Sequence, residues 1–192
     1  MSSHSLTTWQ TDRAESLDEI EAAHRAVGGS LRGRRYATQQ INRAYALLLS
    51  SQFQGFCRDL HSEAVWHLAR SIPSTGLATI VREEFFQSRK LDRGNPNPGN
   101  IGADFNRLGV DFWQRALSHD PQNEDRRALL VRLNDWRNAI AHQDFDPAKL
   151  GGTLTLRLAD VREWRKACHG LVISMDEVIR DYLHQTTGTS PW

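Results

Sequence analysis

The sequence predicts an all-α protein: a helical bundle of about five helices, with a short β-hairpin or an extended arm near its C-terminal end. Apolar residues recur at three- and four-residue steps over long stretches, which is the helical period. Prolines and glycines are grouped between those stretches. A chain of 192 residues is long enough for one core and short for two. We therefore expect a single domain over residues 16–184, between a flexible N-terminus at residues 1–15 and a flexible tail at residues 185–192.

The first predicted helix begins at Ser16. A serine followed three residues later by Glu19 is the pattern of a capping box. Gly28 and Gly29 are a suitable C-terminal stop, and a basic link at residues 32–35 follows them.

The second predicted helix covers residues 36–72, which contain no proline and a single glycine, Gly55. Its apolar spacing predicts one long amphipathic helix or two helices that meet near Gly55. Pro73 ends this stretch, and Ser74 or Thr75 caps another helix.

Three further segments complete the predicted fold. Residues 92–100 contain two prolines and two glycines and are predicted as a loop. A helix then runs from Pro121 to about His142, because Pro is favoured in a first turn and Pro147 with two glycines follows soon after. Residues 153–158 alternate polar and apolar like a strand, and Asp160 caps a last helix.

The composition is that of an ordinary cytoplasmic protein. Lysine and arginine total 24 against 23 acidic residues, so a general electrostatic coating for nucleic acid or membrane is not expected. Nearly all the basic residues are arginine, which suits local phosphate binding. Cys57 and Cys168 lie far apart, so neither a disulfide framework nor a thiolate metal site is predicted. We see no signal peptide and no apolar run long enough to cross a membrane.

The best candidate for a functional centre is the segment that contains Arg137, Asn138 and His142. At about 100° per residue, Asn138 and His142 share one face of a helix and Arg137 lies beside them. Ile140 points the other way, towards the core. One edge of this helix is therefore predicted to pack, while the other offers a cation, an amide and an imidazole.

These groups suit the cleavage of RNA. An imidazole exchanges protons near neutral pH, so His142 is the candidate general acid and base. Arg137 can hold two phosphate oxygens, and Asn138 can orient the imidazole or the phosphate. The chemistry requires no metal or other cofactor. One histidine and one arginine make a poor complete site, whereas a two-fold dimer would supply two of each.

The segment WRNAIAH at residues 136–142 resembles the R-x4-6-H signature of HEPN domains, here in the form RN-x-x-x-H. Residues 41–60 resemble the long early helix of the RiboL-PSP branch of that family, and residues 95–113 resemble its loop and short helix. The resemblance covers about residues 40–145. It implies a helical bundle that forms a homodimer and cleaves RNA without metal, acting as a toxin or phage-defence effector with a cognate antitoxin or inhibitor protein as a further partner.

Two positions depart from the family pattern. Gln54 stands where many relatives have an acidic residue, so a supporting contact is absent. Asp144 stands where some HEPN toxins have a tyrosine that a partner nucleotidyltransferase modifies, which disfavours that form of regulation.

Other interpretations remain open. The cations of the motif also suit a helix C-terminus with no catalytic role, and a HEPN-like dimer could bind RNA, nucleotide or protein without cleavage. Asp135 is most simply a solvated carboxylate on the helix face. Further candidates are Asn42, Arg43 and Arg58 as phosphate ligands, and His61, Glu63 and His67 as an incomplete metal set.

Overall fold

The computed structural model describes residues 1–28 and 35–192; Gly29 and most of the predicted basic link lie outside the described residues. The regular secondary structure of those residues is helical, without a strand, which confirms the all-α class. In chain order the helices are α1 (His4–Thr8), α2 (Ala14–Gly28), α3 (Arg35–Arg70), α4 (Thr75–Phe86), α5 (Lys90–Arg93), α6 (Pro98–Asn106), α7 (Phe112–His119), α8 (Asn123–His142) and α9 (Leu158–Thr187), with a π-helical segment (Trp9–Arg13) between α1 and α2. None of the helices described has the length and apolar character needed to cross a bilayer.

Four long helices, α2, α3, α8 and α9, make up most of the bundle. α3 packs against α2, α8 and α9, and α8 packs most extensively against α9. The short helices α5, α6 and α7 lie against this frame, and α4 packs on α3. The described residues therefore contain more helical segments than the five or so that the sequence predicts, because the connection between α4 and α8 is itself partly helical.

α3 is one continuous helix rather than two that meet at Gly55. Its buried face carries large side chains such as Phe53 and Phe56, which supply much of the core. Gly55 leaves room for the guanidinium of Arg13, which lies in the space that a β-carbon would fill. Arg13 is held there by an ion pair of 2.6 Å between its Nη2 and the Oδ2 of Asp59.

The expected flexible N-terminus at residues 1–15 is instead helical from His4 onwards. Glu63 on α3 accepts hydrogen bonds from the backbone N–H groups of His4 (3.0 Å) and Ser5 (2.7 Å), so it satisfies the first turn of α1. Trp9 is 3% exposed and packs edge-on against Phe53, with ring centroids 6.2 Å apart. Burial of this one large aromatic anchors a segment that is otherwise polar.

The predicted capping box at Ser16 is wrong because the chain before Ser16 is already helical. The Ser16 hydroxyl donates instead to the backbone oxygen of Asp12, four residues earlier (3.0 Å). This is the usual bond of a serine inside a helix.

Residues 92–100 are a shorter loop than predicted. Pro98 is the first residue of α6, and the Asn97 side chain caps that helix, so this proline starts a helix rather than interrupting one. The helix with a predicted start at Pro121 is α8, which begins at Asn123. The observed boundaries of these helices differ from the predicted ones because proline occurs both in loops and in the first turns of helices.

Residues 153–157 contain no strand and form no β-hairpin, so this segment is an irregular arm, and Leu158 already belongs to α9. Asn42 on α3 donates a hydrogen bond to the Leu156 backbone oxygen (2.8 Å), and Leu156 is buried. The Asn42 side chain thus makes a backbone hydrogen bond of the kind that a neighbouring strand would make in a hairpin. Arg157, not Asp160, is the N-cap of α9; Asp160 lies in the first turn and accepts from the Arg157 N–H (3.0 Å).

The segment predicted as a tail, residues 185–192, begins inside α9, which continues to Thr187. Trp192 folds back against the core, and its Nε1 donates to Asp176 Oδ2 (3.3 Å). The other oxygen of Asp176 accepts from the Ser3 N–H (3.1 Å). One buried carboxylate on α9 therefore binds both terminal segments.

Candidate functional site

The candidate site lies at the C-terminal end of α8. Leu133, Trp136 and Ile140 are buried and anchor this helix to the core, which confirms the predicted direction of Ile140. The helix ends at His142, as predicted, because Gln143 adopts the left-handed conformation (φ 55°). The N–H groups of Gln143 and Asp144 both donate to the Ala139 oxygen, that of Asp144 at 3.0 Å, which closes the end of the helix.

Asn138 connects Arg137 to the loop between α5 and α6. Its Oδ1 accepts a hydrogen bond from Arg137 Nη1 (3.3 Å) and a shorter one from Asn95 Nδ2 (2.9 Å). Arg137 is half-buried, and no acidic residue that the structure describes pairs with it. His142 is exposed, with no hydrogen-bond partner among the described residues. The motif thus presents a cation and an imidazole that are both available to a ligand.

A network of asparagines fixes the loop between α5 and α6 against α8. Asn95 accepts at its Oδ1 from Asn97 Nδ2 (2.8 Å), and its backbone oxygen accepts from Asn100 Nδ2 (2.8 Å). Asn134, one turn before Asn138, donates to the Pro96 oxygen (3.2 Å). The side chain of Asn138 is therefore positioned by neighbours that are themselves bonded, which restricts its motion.

Gln54 supports the same loop from the other side. Its Nε2 donates to the backbone oxygens of Leu91 (2.6 Å) and Gly94 (2.8 Å). A carboxylate could not donate these bonds at neutral pH. The amide is therefore chemically suited to this position, where the loop presents two acceptors.

A cavity of about 230 Å³ opens beside His142. Its lining combines four charged or titratable side chains, one amide and two apolar side chains: Asp135, His142, Asp144, Lys149, Asn138, Ala139 and Leu150. Arg137 is not part of this lining. On a helix Arg137 and His142 differ by about 140°, so they project towards different sides.

Asp135 has a larger place in the site than its sequence context predicted. Asp135, Asn138 and His142 follow one another at spacings of three and four residues, so they line one face of α8. Burial raises the pKa of Asp135, while the charge of Lys149 acts in the opposite direction. The spacing was visible in the sequence, but the return of Lys149 and Leu150 to this face was not.

The predicted phosphate ligands on α3 have other contacts. Asn42 is buried and bonded to the arm, and Arg58 forms an ion pair with Asp92 (2.9 Å). The guanidinium of Arg43 stacks over the ring of Phe145, 4.3 Å from its centroid, which ties the residues after the motif to α3.

His61, Glu63 and His67 do not converge on a metal site. Glu63 caps α1, and a ring nitrogen of His67 lies 2.9 Å from the Thr187 hydroxyl. His61 is buried with its ring edge-on to Phe105, and burial together with the charge of Arg89 lowers the pKa of His61 to about 4. Among the residues described, no group of three or more histidine, cysteine or acidic side chains could hold a metal ion.

Comparisons with family models, with curated proteins and with solved structures found no match to this chain.

Proposed function

We propose that the protein is a metal-independent endoribonuclease of the HEPN kind, a cytoplasmic toxin or phage-defence effector. The observation that carries this proposal is the end of α8. There Arg137 and His142 are both available to a ligand, and Asn138 between them is clamped by Asn95. Positioned side chains with free functional groups are typical of a site that binds and reacts.

The reaction needs a base, an acid and a cation. The 2′-hydroxyl loses its proton to a neutral imidazole and attacks the adjacent phosphorus, while the bond from phosphorus to the 5′-oxygen breaks and that oxygen gains a proton from an imidazolium. Arg137 stabilises the phosphate oxygens as negative charge builds on them. The products are a 2′,3′-cyclic phosphate and a 5′-hydroxyl, and no water is consumed.

A second copy of the chain completes the site in this proposal. Arg137 and His142 project to different sides of one helix, so a single copy brings one imidazole and one guanidinium to the phosphate only with difficulty. A two-fold dimer that places the ends of both α8 helices together supplies one His142 as base and the other as acid. A cognate antitoxin would act most directly by covering this junction.

The test is RNA cleavage in EDTA by the wild-type chain and by His142→Ala and Arg137→Ala. His142→Ala should lose about 100-fold or more in rate, since general acid–base catalysis contributes about that much. Arg137→Ala should also lose about 100-fold, since removal of one donor to the developing negative charge costs about that much. His184→Ala and Arg70→Ala are matched controls, because both side chains are exposed and lie outside the site.

Two results decide the proposal. Cleavage that leaves 2′,3′-cyclic phosphate ends, is lost in both site variants and persists in both controls supports it. Cleavage that survives His142→Ala, or wild-type protein that binds varied RNAs without cutting them, overturns it in favour of a non-catalytic binding dimer.

A further inference from the structure

The cavity beside His142 has the wrong charge for a phosphate. Two carboxylates, Asp135 and Asp144, line it, against the single ammonium of Lys149. The guanidinium that suits phosphate, that of Arg137, lies outside the lining. A phosphate would be repelled by the carboxylates, whereas a neutral group rich in N–H donors would be attracted.

The size and floor of the cavity favour a small flat group. Its volume of about 230 Å³ lies below the ~300 Å³ at which pockets for drug-sized ligands begin. Ala139 and Leu150 are both buried and give it an apolar surface. A single heteroaromatic ring system matches these dimensions better than a whole nucleotide does.

The polar groups that line the cavity include both a hydrogen-bond acceptor and hydrogen-bond donors. Arginine can only donate, so the atom of Asn138 that faces Arg137 must be its oxygen, and Asn95 donates to the same atom. The Nδ2 of Asn138 is left to donate, since no acceptor for it lies among the described residues. Lys149 is a second donor, with only a long contact of 3.9 Å to Asp146. Asp135 supplies the acceptor and is partly removed from water.

We propose that this cavity is a nucleobase subsite that selects guanine, an inference that rests on the proposed ribonuclease function. Guanine alone among the RNA bases offers two adjacent N–H donors, N1 and N2, beside an acceptor, O6. The Asp135 carboxylate accepts both donors in a bidentate pair, and Asn138 or Lys149 donates to O6. The ribose of that nucleotide then lies at the His142 end of the cavity, so cleavage occurs next to guanosine.

Burial of Asp135 adds a reason for this choice. A carboxylate whose pKa is raised by burial has lost part of its hydration, and two N–H donors would replace it. Adenine and cytosine present one exocyclic amine, and uracil presents only its N3–H, so each leaves one carboxylate oxygen without a new partner. The cavity should therefore bind guanine with about tenfold higher affinity than it binds the other bases.

The experiment measures binding of free nucleosides, without any phosphate, by chemical-shift titration of the full chain. Wild-type protein should bind guanosine about tenfold more tightly than inosine, which lacks only the N2 amine, and more tightly than uridine. Asp135→Asn should remove that preference, while Asp125→Asn, an exposed carboxylate on the same helix, should retain it. Equal affinity for guanosine and inosine, or a preference unchanged by Asp135→Asn, overturns the subsite.

The two proposals fail separately. Selective guanosine binding by a chain that cuts no RNA supports the subsite and overturns the ribonuclease. Cleavage without preference for guanosine, together with unselective nucleoside binding, overturns the subsite and leaves the ribonuclease standing.

Discussion

Replacing Trp9 with alanine tests whether the N-terminal segment is an integral part of the fold. Trp9 is 3% exposed, lies between Phe53 and Phe56, and donates from Nε1 to His169 Nδ1 (3.2 Å). Removal of a buried tryptophan costs about 3–5 kcal/mol in free energy of unfolding. The lost hydrogen bond adds about 0.5–1 kcal/mol. At about 2–4 °C per kcal/mol for a chain of this size, Tm should fall by about 10 °C or more.

Urea unfolding of Trp9→Ala beside Trp66→Ala gives the comparison. Both variants lose the same atoms, but Trp66 is 44% exposed, and the guanidinium of Arg82 lies over its ring, 4.5 Å from the centroid. Its removal should cost about 1 kcal/mol or less. A cost below about 1 kcal/mol for Trp9→Ala would refute the reasoning, because it would mean that α1 does not stay docked on α3.

Two other perturbations test the core and the loop beside the site. The pKa of His61 is lowered to about 4 by burial and by Arg89, so the unfolded chain, with a pKa near 6.5, takes up the proton first. The free energy of unfolding should therefore be unaffected by this group above about pH 6.5 and fall by about 3 kcal/mol towards pH 4. In urea unfolding at several pH values, His61→Leu should flatten this dependence of the free energy on pH. An unchanged dependence would contradict the lowered pKa of His61. Gln54→Ala removes the hydrogen bonds to Leu91 and Gly94 and should cost about 2 kcal/mol in urea unfolding. Hydrogen exchange should then rise at residues 94–97, and protection equal to that of the wild type would show that Gln54 does not hold the loop.

The parts of the fold that could be predicted are the helices in which apolar residues repeat with the helical period over many turns. α3, α8 and α9 carry apolar stripes over many turns, and their existence follows from those stripes. The N-terminal segment failed this reasoning because its anchor, Trp9, is a single aromatic among mostly polar residues, and two N–H groups in the first turn of α1 bond to Glu63 on another helix. The alternation at residues 153–158 was misleading for a similar reason. The backbone of Leu156 is satisfied by the side chain of Asn42, which no local pattern reveals.

Part of the candidate site could likewise be predicted from local sequence, and part of it depends on tertiary structure. Helical spacing alone places Asn138 and His142 on one face, and the same arithmetic includes Asp135. Lys149 and Leu150 reach that face only because the chain turns back after His142, so their part in the cavity depends on tertiary structure. The positioning of Asn138 likewise depends on Asn95, which belongs to a loop far away in sequence.

The carboxylate of Asp176 has a consequence for the order in which the molecule assembles. Its hydrogen bond to Ser3 spans 173 residues of sequence, a separation at which loop closure is entropically costly and contact formation is slow. During synthesis α1 leaves the ribosome long before its partner on α9. Contact with α3 is available to the Trp9 indole much earlier. The segment should therefore dock in two stages, first on α3 through the aromatic ring and then on α9 through the backbone at Ser3.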